Sequence, residues 1–357
     1  MTPIVYAVKT HYPHWGKATG FNRLGSFIDP GRIRFYERVV PMGAPKIFRP
    51  ILARARKKRR RKGITSVYGP NDFRAEIRLF TAGWLKRVDI IHLFDGEHAL
   101  RHLPHWFARF KSFKRFPKII SMFHQPPDIL EVLVDKDTIA RTDCVLVVSP
   151  CQKEYFRHTL PHTRVELIPL GVDTGYFTPD AAKKNSDQFR CLAGGVWLRD
   201  YAALIRTAEL LQDHPEFEFH IVAPHLEVSA ELKNLVIHCG ITDQRFLELY
   251  QSCDVLFMPM EAATANNVIL EGISCGLPVV SSDLPALRYY MPGEEAVLIK
   301  DNRAEAFADV LRALRGDRAR LDRMAKQARR RALDLSWHNI AGEYEVLYMS
   351  LQVNHGS

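Results

Sequence analysis

The sequence predicts an α/β protein of two Rossmann-like halves, each a parallel sheet covered by helices. Three observations carry this. Short β-branched or apolar runs alternate with stretches of helical periodicity along most of the chain. Its 357 residues exceed one ordinary domain and suit two. A stretch rich in glycine and proline, followed by a polar one, interrupts the alternation near its middle.

In the first half, strands are predicted at 4–8, 88–94, 118–123, 144–148 and 165–168, with helices at 71–86, 98–112, 128–141 and 151–158. In the second half, strands fall near 190–194, 217–222, 235–238, 254–258, 278–281 and 296–299. Helices lie between them: 201–212 repeats Leu204, Ala208 and Leu211 on one stripe, and 303–315 repeats Phe307, Val310, Leu311 and Leu314. Strand–helix alternation of this kind implies parallel sheets covered on both faces. The break runs from Pro169 to Asp180 and into the polar residues 181–188. The expected domains are therefore 1–170 and 171–336, with a last amphipathic helix from Trp337 in 337–357.

The composition, 46% hydrophobic and 25% charged, is that of a soluble globular protein with real cores. No apolar run approaches the ~18 residues of a membrane span. The opening residues lack the basic flank of a signal peptide and read as a first strand. Six scattered cysteines without a C-x-x-C pair suggest reduced, buried thiols in a cytoplasmic protein rather than a disulfide frame or zinc site. Charge is divided unequally. Residues 1–164 carry 31 Lys and Arg against 13 Asp and Glu, a net +18; residues 165–357 carry 19 against 27, a net −8. The two halves are expected to face different partners. The densest basic run is Arg54, Arg56, Lys57, Lys58, Arg59, Arg60, Arg61 and Lys62. It reads either as a solvated face or as a dock for the anionic inner face of a membrane. Nucleic acid is not expected, because few aromatics interleave the run and no nucleic-acid fold signature accompanies it.

The stretch Met258-Pro-Met-Glu-Ala-Ala-Thr-Ala-Asn-Asn-Val-Ile-Leu-Glu-Gly-Ile-Ser-Cys-Gly-Leu-Pro-Val-Val280 is the most informative. A strand leads through a polar loop to a helix expected to start near Thr264, a candidate N-cap. Free N–H groups at Ala265, Asn266 and Asn267 would then face an anion at the carboxyl edge of the sheet. Glu271, one to two turns on, can accept hydrogen bonds from a ribose diol. Gly276-Leu-Pro278 ends the helix and starts a buried strand.

This block resembles the C-terminal signature of the family 4 retaining glycosyltransferases (glycosyl transferases group 1), where a helix-borne Glu precedes Cys-Gly-x-Pro-Val-Val. Three further blocks agree in order: 145–155 with 165–173, then Gly240 to Val255, then Ser336-Trp337. Trp15-Gly-Lys-Ala-Thr-Gly20 resembles the family's glycine-bearing loop under the donor, which puts Gly16 and Gly20 at the donor site. Ile119 to Pro127 places His124 where the family keeps a histidine that touches the transferred sugar.

The resemblance implies a GT-B fold: two Rossmann-like domains facing across a cleft, with the C-terminal helix crossing back to the N-terminal domain. The N-terminal domain would bind the acceptor and the C-terminal domain the nucleotide sugar. It implies a retaining, metal-independent transfer of a sugar from a nucleoside-diphosphate donor to a hydroxyl acceptor, in polysaccharide or glycoconjugate synthesis, with no bound cofactor. Arg199, His124 and Glu261 would carry catalysis; Gly195, Thr264, Asn266, Asn267, Val268 and Glu271 would hold the donor. Two positions depart from the family pattern. Its first glutamate falls here on Ala263, with Glu261 two residues earlier, and its Gly-Arg and Lys pair appears as Gly194-Gly-Val-Trp-Leu-Arg-Asp200.

Other readings of the same residues are blander. Gly272-Ile-Ser-Cys-Gly276 matches a nucleophile elbow, but a helix precedes it and a strand follows, the reverse of what the elbow needs. His98, His102 and His105 have a spacing a metal tolerates, without a matching carboxylate. No G-x-G-x-x-G follows a strand, which argues against a dinucleotide dehydrogenase. A GT-B epimerase or phosphorylase, a degenerate partner subunit and a polyanion-binding protein remain the alternatives.

Overall fold

The computed structural model describes residues 2–11, 16–41, 68–85, 88–112, 116–180, 187–223 and 232–352. These form two parallel six-stranded sheets. The first contains β1 (Ile4–His11), β2 (Arg34–Pro41), β3 (Ile90–Leu93), β4 (Lys118–Phe123), β5 (Cys144–Val147) and β6 (Val165–Leu167), in the order β2-β1-β3-β4-β5-β6. The second contains β7 (Phe189–Gly194), β8 (Phe217–Val222), β9 (Leu235–His238), β10 (Val255–Met258), β11 (Val279–Ser282) and β12 (Ala296–Ile299), in the order β12-β11-β10-β7-β8-β9. Strands β3, β5, β10 and β11 are buried along their whole length, as apolar runs covered on both faces must be.

In each sheet the chain winds outward one way, then returns to the centre and winds the other. The reversal falls between β1 and β3 in the first sheet and between β7 and β10 in the second. Loops leaving the carboxyl ends of such neighbouring strands part to opposite faces and leave a crevice for ligands.

The sequence reading missed β2. Its residues, Arg-Phe-Tyr-Glu-Arg-Val-Val-Pro, form an edge strand paired only with β1, and edge strands tolerate charge and a terminal proline. The helices expected at 98–112 and 128–141 are each broken in two: Gly96–Ala99 with Leu103–Phe110, and Pro127–Leu133 with Lys136–Ile139. Pro104 and the capping carboxylate of Asp135 set the second starts.

Two compact units emerge: Met1–Trp15, Leu24–Pro169 and Ile340–Ser357 form the first, Gly16–Arg23 and Leu170–Asn339 the second. The glycine-bearing loop near residue 16 thus belongs with the second sheet, although the chain order puts it in the first half. In that unit Phe21 lies against Trp337, and Arg23 pairs with Asp173 at 2.7 Å. In the first unit the last helix supplies Glu345, which accepts from the Asp29 N–H and from Arg32, and Tyr348, whose hydroxyl meets His92 Nδ1 at 2.8 Å.

Candidate functional site

The site in the second unit is built on the loops after β7 and β10. Arg199 pairs with Met260 as an isolated bridge; Asp200 N–H donates to Pro259 O and Glu261 N–H to Leu198 O, at 3.0 and 3.1 Å. Asp200 also caps the helix Tyr201–Leu210 through the Ala203 N–H. Asn302 ties Asp200 to the Met260 carbonyl. These bonds hold a contorted backbone: Gly195 has φ +79°, and Leu198, which carries a side chain, has φ +58°.

Arg199 donates Nε–H to Gly194 O at 2.9 Å and Nη1–H to Trp197 O at 2.8 Å, and forms no ion pair among the described residues. Burial pulls its pKa down to about 10, against the attraction of Tyr201 and Tyr250. A desolvated cation without a counter-charge is a site for an anion.

The helix after β10 spans Asn267–Ser274, and its N-cap is Asn266, not Thr264. Asn266 Oδ1 accepts the Ile269 N–H at 3.2 Å, while Thr264 is buried in the loop before it. An Asn caps at least as well as a Thr, which moves the helix start two to three residues on. The uncapped first-turn N–H groups are therefore those of Asn267 and Val268. Gly194 lets this end approach: a Cβ there would meet Val268 at 3.2 Å and Phe246 at 2.8 Å.

Glu271 is buried on the same helix and closes a pocket with Thr19, Tyr176, Asp243 and Tyr250. The Tyr250 hydroxyl donates to Oε2 at 2.9 Å, and Phe246 stacks on the Tyr250 ring. Oε1 is buried with no hydrogen-bond partner. Burial pushes this carboxyl up to about 7; the Tyr250 hydroxyl and the neighbouring Thr19 side chain oppose the shift, and Asp243 adds to it. The glycine loop presses on the pocket. Gly20, at φ +56°, would place a Cβ 3.1 Å from Asn267 Oδ1, and Gly16 would place one 2.7 Å from the Asp243 carboxylate. Close approach, beyond turn geometry alone, accounts for both glycines. Glu261 lies exposed on the loop after β10, and Ala263 stands where a second carboxylate was sought.

His124 sits in the first unit, just past the end of β4. Its backbone N–H donates to Glu97 Oε1 at 3.1 Å, and its Nε2 meets Phe94 O. Burial lowers its pKa, and the same holds for His98 beside it. Glu97 is buried with Oε2 unpartnered, and burial together with Asp95 pushes it up to about 8. Asp95 accepts the Thr10 N–H at 2.9 Å.

The remaining candidates separate. Ser274 Oγ donates to Phe177 O at 2.6 Å and is gripped by Arg329, so it braces a helix-to-strand turn. His102 stacks on Trp106, His105 meets Thr138 Oγ1 at 2.9 Å, and no group able to hold a metal occurs among the described residues. All six cysteines are free; Cys239 is exposed, unlike the buried thiols expected. The basic run 54–62 lies outside the described residues. Three features were not anticipated: the Phe246–Tyr250 pair, the unpartnered Oε2 of Glu97, and Trp197, 60% exposed on the contorted loop. Positive φ at Leu198 leaves no mark in a sequence.

Comparison with known proteins fits this arrangement. Residues 31–176 match the family described as Glycosyltransferase Family 4, and residues 193–317 match Glycosyl transferases group 1. The D-inositol 3-phosphate glycosyltransferase of Xylanimonas cellulosilytica is 24% identical over 318 residues, 76% of this chain and 76% of that protein. The Arthrobacter enzyme of the same name is 26% identical over 201 residues, 50% of this chain; the match spans only about half, 48%, of that protein. The crystal structure of Anabaena HepE in complex with UDP-glucose superposes with a TM-score of 0.69 at 13% identity, over 98% of this chain and 100% of that one. Two parallel six-stranded sheets with flanking helices define the GT-B class of glycosyltransferase. Within that class, the chain belongs to the family 4, group 1 glycosyltransferases.

Proposed function

We propose that the chain transfers a sugar from a nucleoside-diphosphate donor to a hydroxyl acceptor with retention of configuration and without a metal. One observation carries the reading: at the crevice between β7 and β10, among the described residues, a buried carboxylate oxygen of Glu271 lacks a donor while Arg199 lacks an anion. A nucleoside diphosphate supplies both. Its ribose diol would donate to Glu271, and its diphosphate would meet Arg199 and the N–H groups of Asn267 and Val268.

Catalysis on this reading is positioning together with stabilisation of developing negative charge on the leaving diphosphate. The acceptor hydroxyl attacks from the face the diphosphate leaves, and its proton passes to the departing phosphate oxygen. His124 would orient the transferred sugar and Glu261 its hydroxyls, with Gly16, Gly20, Gly195, Thr264 and Asn266 shaping the donor pocket. Synthesis of a polysaccharide or glycolipid at the cytoplasmic face of a membrane, with Arg54, Arg56 and Lys57 to Lys62 as a lipid anchor, suits the basic half of the chain. No helix among the described residues is long and apolar enough to cross a membrane. Saturation with a panel of nucleoside diphosphates tests the reading: at hundredfold excess over Kd, a bound nucleotide adds ~2.7 kcal/mol of stability and raises Tm. No rise with any of them would contradict it.

A further inference from the structure

The helix Pro70–Trp84 in the first unit presents an apolar stripe outward. Phe73, Ile77 and Trp84 are 40%, 44% and 42% exposed, and Leu85 follows at 52%. Their spacing puts them on one side of the helix. The stripe continues into aromatic rings that are only half-buried. Phe73 meets Trp106 edge-on at 6.0 Å, Phe80 lies among Trp106, Phe110 and Phe116, and Trp84 meets Phe110 at 5.7 Å. Exposed apolar surface of this continuity marks an interaction site.

The exposed charges on the described residues from Pro70 to Lys111 are all cationic, and the exposed acid that approaches the neighbouring helix, Asp137 beside His105, is itself paired with Arg141. Arg74 and Arg78 stand exposed beside the stripe, and Arg109 and Lys111 are exposed at the end of the neighbouring helix; none of the four forms an ion pair among the described residues. The acids of this stretch are all turned inward. Glu76 is fully buried, accepting the N–H groups of Arg101, His102 and Leu103 and the Tyr68 hydroxyl. Asp72 caps Gly69, Asp89 accepts the Ile4 N–H, and Asp95 and Glu97 are buried. From Pro70 to Lys118, no acidic residue among the described ones is exposed.

We propose that this face docks on an anionic lipid surface, with Phe73, Ile77 and Trp84 entering the headgroup layer and the four cations meeting lipid phosphates. Aromatic rings with a polar rim and interleaved arginines suit that interface, and the excess of positive charge over residues 1–164 draws the same half toward it. The inference is independent of the donor reading. It differs from an anchor on residues 54–62 alone, because it requires the apolar stripe.

Flotation with phosphatidylcholine vesicles, with and without phosphatidylglycerol, tests it on the full chain. The wild type is expected to float with the phosphatidylglycerol vesicles, and Ile77→Asp to lose about tenfold or more in affinity. Arg74→Glu with Arg78→Glu is expected to lose a similar factor, and more salt should weaken the wild type. The exposed positions keep the fold intact, checked by unchanged Tm. Unaltered flotation of Ile77→Asp would overturn the proposal, as would no flotation of the wild type. So would a wild-type dimer that Ile77→Asp dissociates without any vesicle binding.

Discussion

The two sheets share a topology of crossover at the centre, yet their carboxyl edges are chemically opposite. At the second, a half-buried cation with no counter-charge among the described residues lies on the loop after β7, and the helix after β10 carries free N–H groups and an unpartnered carboxylate oxygen. At the first, His92, His98 and His124 are held neutral by burial, and Glu97 is pushed up to about 8, so it keeps its proton at neutral pH. One edge is prepared for an anion, and the other sets neutral imidazoles and a protonated Glu97 beside the Asp95 carboxylate. The same scaffold thus divides its work by what it buries at each crevice.

The largest expected effect breaks the anion side. Arg199→Ala should cut turnover by about 100- to 1000-fold, as the loss of a donor to developing negative charge does elsewhere. Steady-state kinetics with a nucleotide sugar measures this, and unchanged turnover would remove Arg199 from the site.

A second test uses acidity. Hydroxyl donors from a bound ribose favour ionised Glu271, so nucleotide binding should expel a proton. Affinity should then fall about tenfold per unit as pH drops below about 7, and level off above about 8. Glu271→Gln should flatten that profile. Stability runs the other way. The folded pKa is raised above the unfolded one, so the stabilisation present below the unfolded pKa is lost as pH climbs through about 7. At about pH 8, Glu271→Gln should therefore melt above the wild type, by on the order of 2 kcal/mol. Titration calorimetry and thermal melts across pH check both.

Smaller effects sharpen the contrast. Gly20→Ala sets a side chain at positive φ against Asn267 and should cost about 1–2 kcal/mol, read by denaturant unfolding. Glu97→Gln keeps the neutral shape of the protonated acid, so its cost near neutral pH should stay within about 1 kcal/mol, measured the same way. A large loss would mean that Glu97 works as a carboxylate.

Much of this was legible in the sequence. Alternation gave eleven of the twelve strands, because buried parallel strands are continuous apolar runs. The motif from Met258 to Val280 pointed to the crevice beside β10, and Arg199 was singled out there as a cation. What was not legible depends on three-dimensional competition. Asn266 outbids Thr264 for the cap only once the loop is paired with Leu198. The half-chain to which Gly16 and Gly20 belong is decided by Asp243 and Asn267, far away in sequence. The edge strand β2 carries charges that hide its period, and the acids of the helix Pro70–Trp84 look solvent-facing until Glu76 is found capping backbone N–H groups.

The central claim is that the crevice between β7 and β10 is a nucleoside-diphosphate site completed by Glu271 and Arg199. Titration calorimetry of the wild type and Glu271→Ala with uridine and guanosine diphosphates tests it most directly. The account predicts saturable one-to-one binding of one of them, weakened about 100-fold by the substitution, since a hydrogen bond to a charged group is worth ~1.5–3 kcal/mol. Equal affinity in the wild type and Glu271→Ala, or no binding of either nucleotide to a folded wild type, would contradict it.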